Sequence, residues 1–370
     1  MYLWLRLTGS GKTTLVRFII DALEIDRNDV IYIAYTGKAA EVLRRSGCPN
    51  AMTAHKLLYY TTKMPDGKYI FKPRLALEWR PKLIVVDEVS MLPKSMWDML
   101  LRHHVYVIAC GDPFQLPPIR SDDALDILNN PHVFLDEIMR QALDNEIIRL
   151  SMHIREGIPI DYYKGTDIQV IRKSEVVTGM YDWADEIITA TNKKRDEINT
   201  EIRNMKGFGP EPQVGDKLIS LTNHWDCPSE DGDAVLVNGT IGYIKDILWE
   251  QNMDYRFYGS KFFPKPIPVY CINFNSEADE KYNCLLVDKN GLITGNYSLD
   301  NRQEYILSKR KAIVPYYFNY GYAITCHRAQ GSQWDKVLLF EESFPFEKEQ
   351  HARWLYTGVT RAAQKLVLVR

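Results

Sequence analysis

Apolar runs without alternation recur through the first third of the chain, each separated from the next by a stretch with helical spacing. Leu83-Ile84-Val85-Val86 and Val105-Tyr106-Val107-Ile108 carry no charge on either parity, as strands covered on both faces should. The pattern predicts strands over 2–7, 30–34, 82–87 and 105–110, and helices over 12–23, 37–45 and 94–101. Strands alternating with helices in this way build a parallel sheet with right-handed crossovers. One interruption is aromatic and β-branched. Tyr59, Tyr60, Tyr69, Ile70 and Phe71 flank the turn Met64-Pro65-Asp66-Gly67-Lys68, which predicts a β-hairpin over 58–74 inserted into this lobe.

Past Asn129-Asn130-Pro131 the pattern starts again. A helix is expected over 145–156, then a second α/β set with strands over 186–190 and 217–221 around a helix over 192–203. From 248 to 311 tyrosines, prolines and glycines punctuate short alternating segments. Turn signals stand at Asp288-Lys289-Asn290-Gly291 and Thr294-Gly295-Asn296. That texture predicts a small all-β insertion, a barrel. A strand over 337–340, a helix over 350–360 and a strand over 365–369 close the chain. At 370 residues it exceeds one ordinary core. The expected fold class is therefore α/β with two parallel-sheet lobes, residues 1–130 and 131–370, the first carrying the hairpin and the second the β insertion.

The candidate chemistry sits where these strands end. Leu7-Thr8-Gly9-Ser10-Gly11-Lys12-Thr13-Thr14 follows the first strand. Gly9, Ser10 and Gly11 let successive N–H groups face a phosphate, and the helix starting near Lys12 adds the positive end of its dipole. Lys12 reaches the β/γ-phosphates of ATP and Thr13 offers a hydroxyl to Mg²⁺. The full phosphate-loop pattern opens with a glycine five residues before Gly11, where this chain has Arg6. Asp87 and Glu88 end the strand 82–87, and ligands of open parallel sheets bind at such strand ends. Asp87 is a candidate for Mg²⁺ and Glu88 for polarising the water that attacks the γ-phosphate; the bland alternative is an acidic helix cap. Gln115 follows the strand 105–110 within Gly111-Asp112-Pro113-Phe114-Gln115-Leu116-Pro117-Pro118, where it could sense the γ-phosphate. Arg140 and Arg361 are candidate arginine fingers, the alternative for either being a surface ion pair.

Composition narrows the partners only slightly. The formal net charge is −2, so a nucleic acid would need a local basic groove. The six cysteines are scattered without a C-x-x-C pair, which argues against zinc and a disulfide framework and for a reducing cytoplasm. No run approaches the roughly 18 apolar residues of a membrane span, and no signal-peptide layout opens the chain.

In order, the chain presents Gly-Ser-Gly-Lys-Thr, Asp-Glu-Val-Ser-Met, Gly-Asp-Pro-Phe-Gln-Leu-Pro-Pro, Met-Arg-Gln, Val237-Asn238-Gly239-Thr240, Thr325-Cys326-His327-Arg328-Ala329-Gln330-Gly331-Ser332 and Tyr-Thr-Gly-Val-Thr-Arg-Ala. This series resembles the superfamily 1 DNA helicases of the RecD-like group, over essentially the whole chain. The resemblance implies two RecA-like lobes with ATP between them and single-stranded DNA crossing both. It assigns Lys12, Thr13, Thr14, Asp87, Glu88, Gln115, Arg140 and Arg361 to the nucleotide, with Arg328 assisting. Thr36, Lys38, Thr53 and His55 would meet DNA from the first lobe, and Thr191, Asn192, Thr325 and His327 from the second. Such hydroxyls, amides and backbone N–H groups suit contacts indifferent to sequence. The hairpin 58–74 falls where these helicases insert a duplex-splitting pin, with Phe71 or Tyr69 stacking on the last base. The β insertion matches a small SH3-like barrel, and Trp225 and Trp334 read as core.

The resemblance further implies 5′→3′ movement, single-stranded and forked DNA as partners, and replication or recombination proteins beside them. A monomer is expected, in the cytoplasm of a bacterial or phage-infected cell or at its nucleoid. The family's upstream segment, whose glutamine reads the adenine, has no counterpart ahead of Tyr2. That leaves open a fragment or altered start, and a second reading as a catalytically impaired single-strand-binding remnant. A phosphotransferase acting on a small molecule is a third reading, against which Gln115 and the two arginines argue.

Overall fold

The computed structural model describes residues 2–6, 12–63, 69–117, 133–134, 145–232, 235–310, 312–343 and 347–370. At residues 2–6, 12–14, 38, 61–63 and 69–71, among others, it describes the backbone and not the side chains. In chain order the strands of the first part are β1 (Tyr2–Arg6), β2 (Val30–Ala34), β3 (Ala51–Thr53), β4 (Tyr59–Lys63), β5 (Tyr69–Pro73), β6 (Leu83–Val86), β7 (Tyr106–Gly111) and β8 (Val133–Phe134). Six of them form one sheet in the order β3-β2-β6-β7-β1-β8, parallel throughout. Every residue of β2 and β6 is buried, because successive side chains of a strand point to opposite faces and helices cover both. Val30, Tyr32 and Ala34 pack with Val16, Ile20 and Leu43 on one face, and Ile31 and Ile33 with Leu57, Trp97 and Leu100 on the other.

The second part holds β9 (Tyr163–Lys164), β10 (Ile168–Ile171), β11 (Glu186–Thr189), β12 (Lys217–Ser220), β13 (His224–Pro228), β14 (Val235–Leu236), β15 (Ile241–Met253), β16 (Ile267–Ser276), β17 (Lys281–Asp288), β18 (Phe318–Tyr320), β19 (Ala323–Thr325), β20 (Trp334–Phe340) and β21 (Ala362–Val369). A second six-stranded sheet has the order β19-β11-β20-β21-β10-β9, parallel along β11-β20-β21-β10 with β9 antiparallel at the edge. The α/β expectation is thus borne out. By contacts, Met1–Tyr59, Pro73–Arg195 and Ile324–Arg370 form one compact unit that includes both of these sheets.

Tyr60–Lys72 and Asp196–Ala323 form the other unit. Its core is an antiparallel sheet, β17-β16-β15-β12-β18, closed over Ile244, Ile272, Phe274, Tyr282 and Phe318. Arg203 pins the end of its helix to β12 by a buried pair with Asp216, at 2.9 Å (Nε–Oδ1) and 3.1 Å (Nη2–Oδ2). The Tyr322 hydroxyl donates to the same carboxylate at 2.9 Å.

Three expectations from the sequence give way to the structure. The strand over 217–221 does not join the second α/β set; β12 lies inside the antiparallel sheet, between β15 and β18. Four consecutive buried residues look alike in either kind of sheet. The segment 248–311 is not all β, and its sheet draws on strands outside it. Asp288 and Gly295 do not mark turns but bracket the helix Lys289–Thr294. Asp288 Oδ1 caps it by accepting from Gly291 N at 2.8 Å, and Gly295 ends it at φ 73°, the left-handed cap that glycine allows. A further helix comes next at Asn301–Lys309. Trp334 is half-buried at the start of β20 instead of being a full core residue. Among the described residues no helix is long and apolar enough to cross a membrane.

Candidate active site

The carboxylates expected at the end of β6 stand where the parallel sheet turns. Asp87 N donates to Ile33 O at 2.8 Å, continuing the ladder, and Asp87 Oδ1 accepts from Glu88 N at 3.1 Å. Glu88 takes a left-handed backbone, φ 50° and ψ 51°, which costs a non-glycine residue about 1–3 kcal/mol and persists where surroundings over-determine it. It offers no cap to the short helix after it, so the bland alternative is not what the side chain does. Its Oε2 is buried and accepts no hydrogen bond from any described residue. A carboxylate oxygen left so is a costly arrangement, suited to a water that reacts.

Arg361 reaches Glu88 from the turn between the helix Lys348–Val359 and β21. Arg361 is 4% exposed and its Nη1 lies 3.8 Å from Glu88 Oε1. Its hydrogen bonds are local: Nε donates to Thr357 O at 3.0 Å, Nη1 to Ser332 O at 3.1 Å and Nη2 to Thr360 Oγ1 at 3.2 Å. Gly331 closes the same corner at φ 76°; a Cβ there would lie 3.1 Å from Thr36 Oγ1 and 3.5 Å from Glu88 Oε2. Four distant stretches, at Thr36, Glu88, Gly331-Ser332 and Arg361, therefore meet.

Gln115 is 2% exposed, and its Oε1 has no hydrogen-bond donor among the described residues. Its loop is tied to the helix that carries Arg361 at its end. Leu116 N donates to Thr357 Oγ1 at 2.9 Å, the Tyr356 hydroxyl donates to Asp112 Oδ2 at 2.5 Å, and Gln330 Nε2 donates to Leu116 O at 2.8 Å. Tyr356, Thr357 and Gln330 belong to motifs recognised in the sequence, but their part as a latch was not. Nothing local marks a hydroxyl whose partner lies more than 200 residues away.

The phosphate-loop residues Gly9, Ser10 and Gly11 lie outside the described residues, as does Arg140. Lys12, Thr13 and Thr14 open the helix Lys12–Ala22, their side chains outside the description. Arg328 is half-buried on the short helix Cys326–Ala329. Among the described residues no three His, Cys, Asp or Glu side chains cluster so as to hold a metal. A divalent ion here would need oxygens from a nucleotide beside Asp87 and Thr13, as Mg²⁺ ordinarily does.

The candidate DNA contacts occupy strand ends and helix starts. Thr36 caps the helix Gly37–Arg45 by accepting from Ala39 N, and Thr53 caps Ala54–Leu58 by accepting from Lys56 N, both at 3.2 Å. His55 stands between Tyr35 and Tyr59, at 5.7 and 5.9 Å between ring centroids. Lys38 and Phe71 are described by backbone alone, Phe71 within β5. Thr325 ends β19 and precedes His327 on its short helix, while Asn192 begins the helix Asn192–Met205 and is exposed. Thr191 proves engaged elsewhere: its hydroxyl donates to Glu342 at 2.7 Å, a residue that no motif in the sequence marks.

Comparison with known families matches residues 2–175 to an AAA domain and residues 320–369 to a UvrD-like helicase C-terminal domain. The chain is 25% identical over 414 residues to the ATP-dependent DNA helicase dda of Enterobacteria phage T4, covering 95% of this chain and 90% of that protein. It is 26% identical over 385 residues to the ATP-dependent RecD2 DNA helicase of Deinococcus radiodurans, covering 96% of this chain but 45% of that one. Along nearly its whole length the chain is similar to superfamily 1 helicases of the RecD and Pif1 group. Its fold is that of Pif1 from Bacteroides, solved in complex with ADP-AlF3 and single-stranded DNA. The TM-score is 0.54 at 18% identity, over 99% of this chain and 87% of that one.

Three histidines give the chain a defined pH response. Burial holds His55, His103 and His327 below the ordinary imidazole value of 6.5. The unfolded chain then binds more protons just below pH 6.5, so stability is full above that pH and declines as pH falls toward the folded values. Unfolding midpoints measured from pH 7.5 down to 5.5 are expected to drop, and to drop less in His327→Asn. An equal drop in the variant would remove His327 from the effect.

Proposed function

We propose that this helicase hydrolyses ATP on binding single-stranded DNA and uses the cycle to move along one strand, 5′→3′, opening forked duplex ahead of it. The observation that carries the reading is the approach of Arg361, from the turn before β21, to Glu88 at 3.8 Å. Glu88 Oε2 supplies an acceptor for the proton of an attacking water, and a planar guanidinium beside it supplies the charge that a transferring phosphoryl group needs. The Gln115 loop is latched to the Arg361 helix, so a γ-phosphate felt at Gln115 is passed to the second sheet through Thr357 and Tyr356. Mg²⁺, held by Asp87 and Thr13, would neutralise phosphate charge.

Opening a base-pair step costs about 1.4 kcal/mol, which is why strand separation must be coupled to hydrolysis. The direction, the pin role of the hairpin 58–74 with Phe71 or Tyr69 stacking on the last base, the lobe division at 130 and the SH3-like role of the β-rich insertion are parts of the same proposal, supported by the motif series. So are a monomer working beside replication or recombination proteins, and a place in the cytoplasm or at the nucleoid.

The test is ATP turnover with and without oligonucleotide. Single strands are expected to raise it about 5- to 150-fold, the span of ordinary coupling between sites. Turnover indifferent to DNA would overturn the coupling. Salt-sensitive DNA binding without turnover would instead leave the impaired single-strand-binding remnant.

A further inference from the structure

We infer that Glu342 is a positioning residue for the second-sheet turn that meets DNA, an inference that rests on the function proposed above. The turn runs from the end of β11 into the helix Asn192–Met205. One carboxylate takes three bonds from it. Glu342 Oε2 accepts from Ala190 N at 2.8 Å and from Thr191 N at 3.0 Å, and Oε1 accepts from Thr191 Oγ1 at 2.7 Å. Glu342 arrives from two residues beyond β20, the neighbour of β11 in the sheet.

Two consecutive amides and a hydroxyl converging on one point form the arrangement that backbone commonly offers to a phosphate. Here the chain fills it with its own anion. Thr191 has further duties: its hydroxyl accepts from Lys194 N at 3.2 Å, and its carbonyl accepts from Thr189 Oγ1 at 3.3 Å. The donors of Ala190 and Thr191 are thus committed within the protein, and the strand must be met by what this turn presents. Asn192 comes immediately after, exposed, with Oδ1 accepting from Arg195 Nη1 at 2.9 Å. Thr325 lies at the end of β19, beside β11 in the sheet. Bonds to a charged acceptor are the strong class, so Glu342 fixes where Asn192 stands relative to Thr325. It would do so without touching DNA itself.

The experiment compares Glu342→Ala, Glu342→Gln and Thr191→Val with the unaltered protein. It measures DNA-stimulated ATP turnover against oligothymidylate concentration, anisotropy of a labelled oligothymidylate, and thermal melts to establish folding. Glu342→Ala is expected to raise the half-saturating oligonucleotide concentration about tenfold, a modest loss because the Thr191 cap remains. Turnover at saturating DNA should stay within about twofold, a split that simple destabilisation would not produce. In Glu342→Gln the side-chain oxygen can still accept from both amides and its NH₂ can donate to the hydroxyl, so DNA affinity should return to near the starting value. Thr191→Val should fall between the two and carries the test if Glu342→Ala does not fold. Unchanged affinity in Glu342→Ala, or turnover lost in step with affinity, would overturn the inference. Tighter binding would overturn it too, showing a carboxylate that competes with phosphate. If the unaltered protein binds no oligothymidylate, the proposed function fails and this inference with it; if it binds and Glu342→Ala matches it, only the inference fails.

Discussion

Replacing Arg361 with alanine is expected to lower DNA-stimulated ATP turnover by about 10³- to 10⁵-fold, the range over which arginine fingers act. Three of its hydrogen bonds go to Ser332, Thr357 and Thr360, and a fourth neighbour, Glu88 Oε1, lies at 3.8 Å. The guanidinium is therefore already aimed at the corner where the water would be activated, and little reorganisation precedes its use. Lysine should rescue poorly, because a compact ammonium cannot span Ser332 O, Thr357 O and Thr360 Oγ1 at once. Single-turnover phosphate release with saturating ATP and DNA measures the effect, and a melting curve shows that the variant is folded. A folded Arg361→Ala protein within tenfold of the original rate would reduce Arg361 to a residue that ties off the end of the helix Lys348–Val359.

Glu88→Gln should cost about 10²- to 10⁴-fold in turnover, the usual worth of a positioned general base, while nucleotide binding persists. Glutamine matches the shape of the side chain, so the left-handed backbone at φ 50° need not change. What is lost is the acceptor strength of Oε2 and the negative charge facing Arg361. Calorimetric titration with a non-hydrolysable nucleotide separates binding from turnover. Unchanged turnover would remove Glu88 from the base role, and lost binding would mean that the substitution disturbed the fold at the end of β6.

The two predictions bear on one corner, so their effects should not add. Arg361 and Glu88 are in contact, and residues that act together on one step lose most of their joint value when either is removed. The double variant is expected to be about as slow as Arg361→Ala alone.

Much of the first sheet was legible because burial on both faces leaves a mark in the residue string. Val30–Ala34 and Leu83–Val86 can be apolar at every position only if helices cover both sides. The strand-end positions of Asp87 and Gln115 followed from the same runs. Less legible was anything that depends on a distant partner. Residues 217–221 read as one more α/β strand, yet β12 pairs antiparallel on both sides. Asp288-Lys289-Asn290-Gly291 reads as a turn as readily as a helix start. The helix prevails where Leu292 packs into the core of the antiparallel sheet with Phe274 and Phe318.

By itself the sequence determined the parallel α/β pattern and the order of the motifs, because hydrophobic period and glycine placement are local properties of the chain. It also determined which carboxylates and arginines were available. Only the tertiary structure decided that Arg361 would meet Glu88, that Tyr356 and Thr357 would hold the Gln115 loop, and that Glu342 would claim Thr191. Parallel strands are joined by long crossovers, so their ends gather side chains that are far apart in the chain. Hydrogen bonds there are settled by which ends come within about 3 Å, and no local period encodes that.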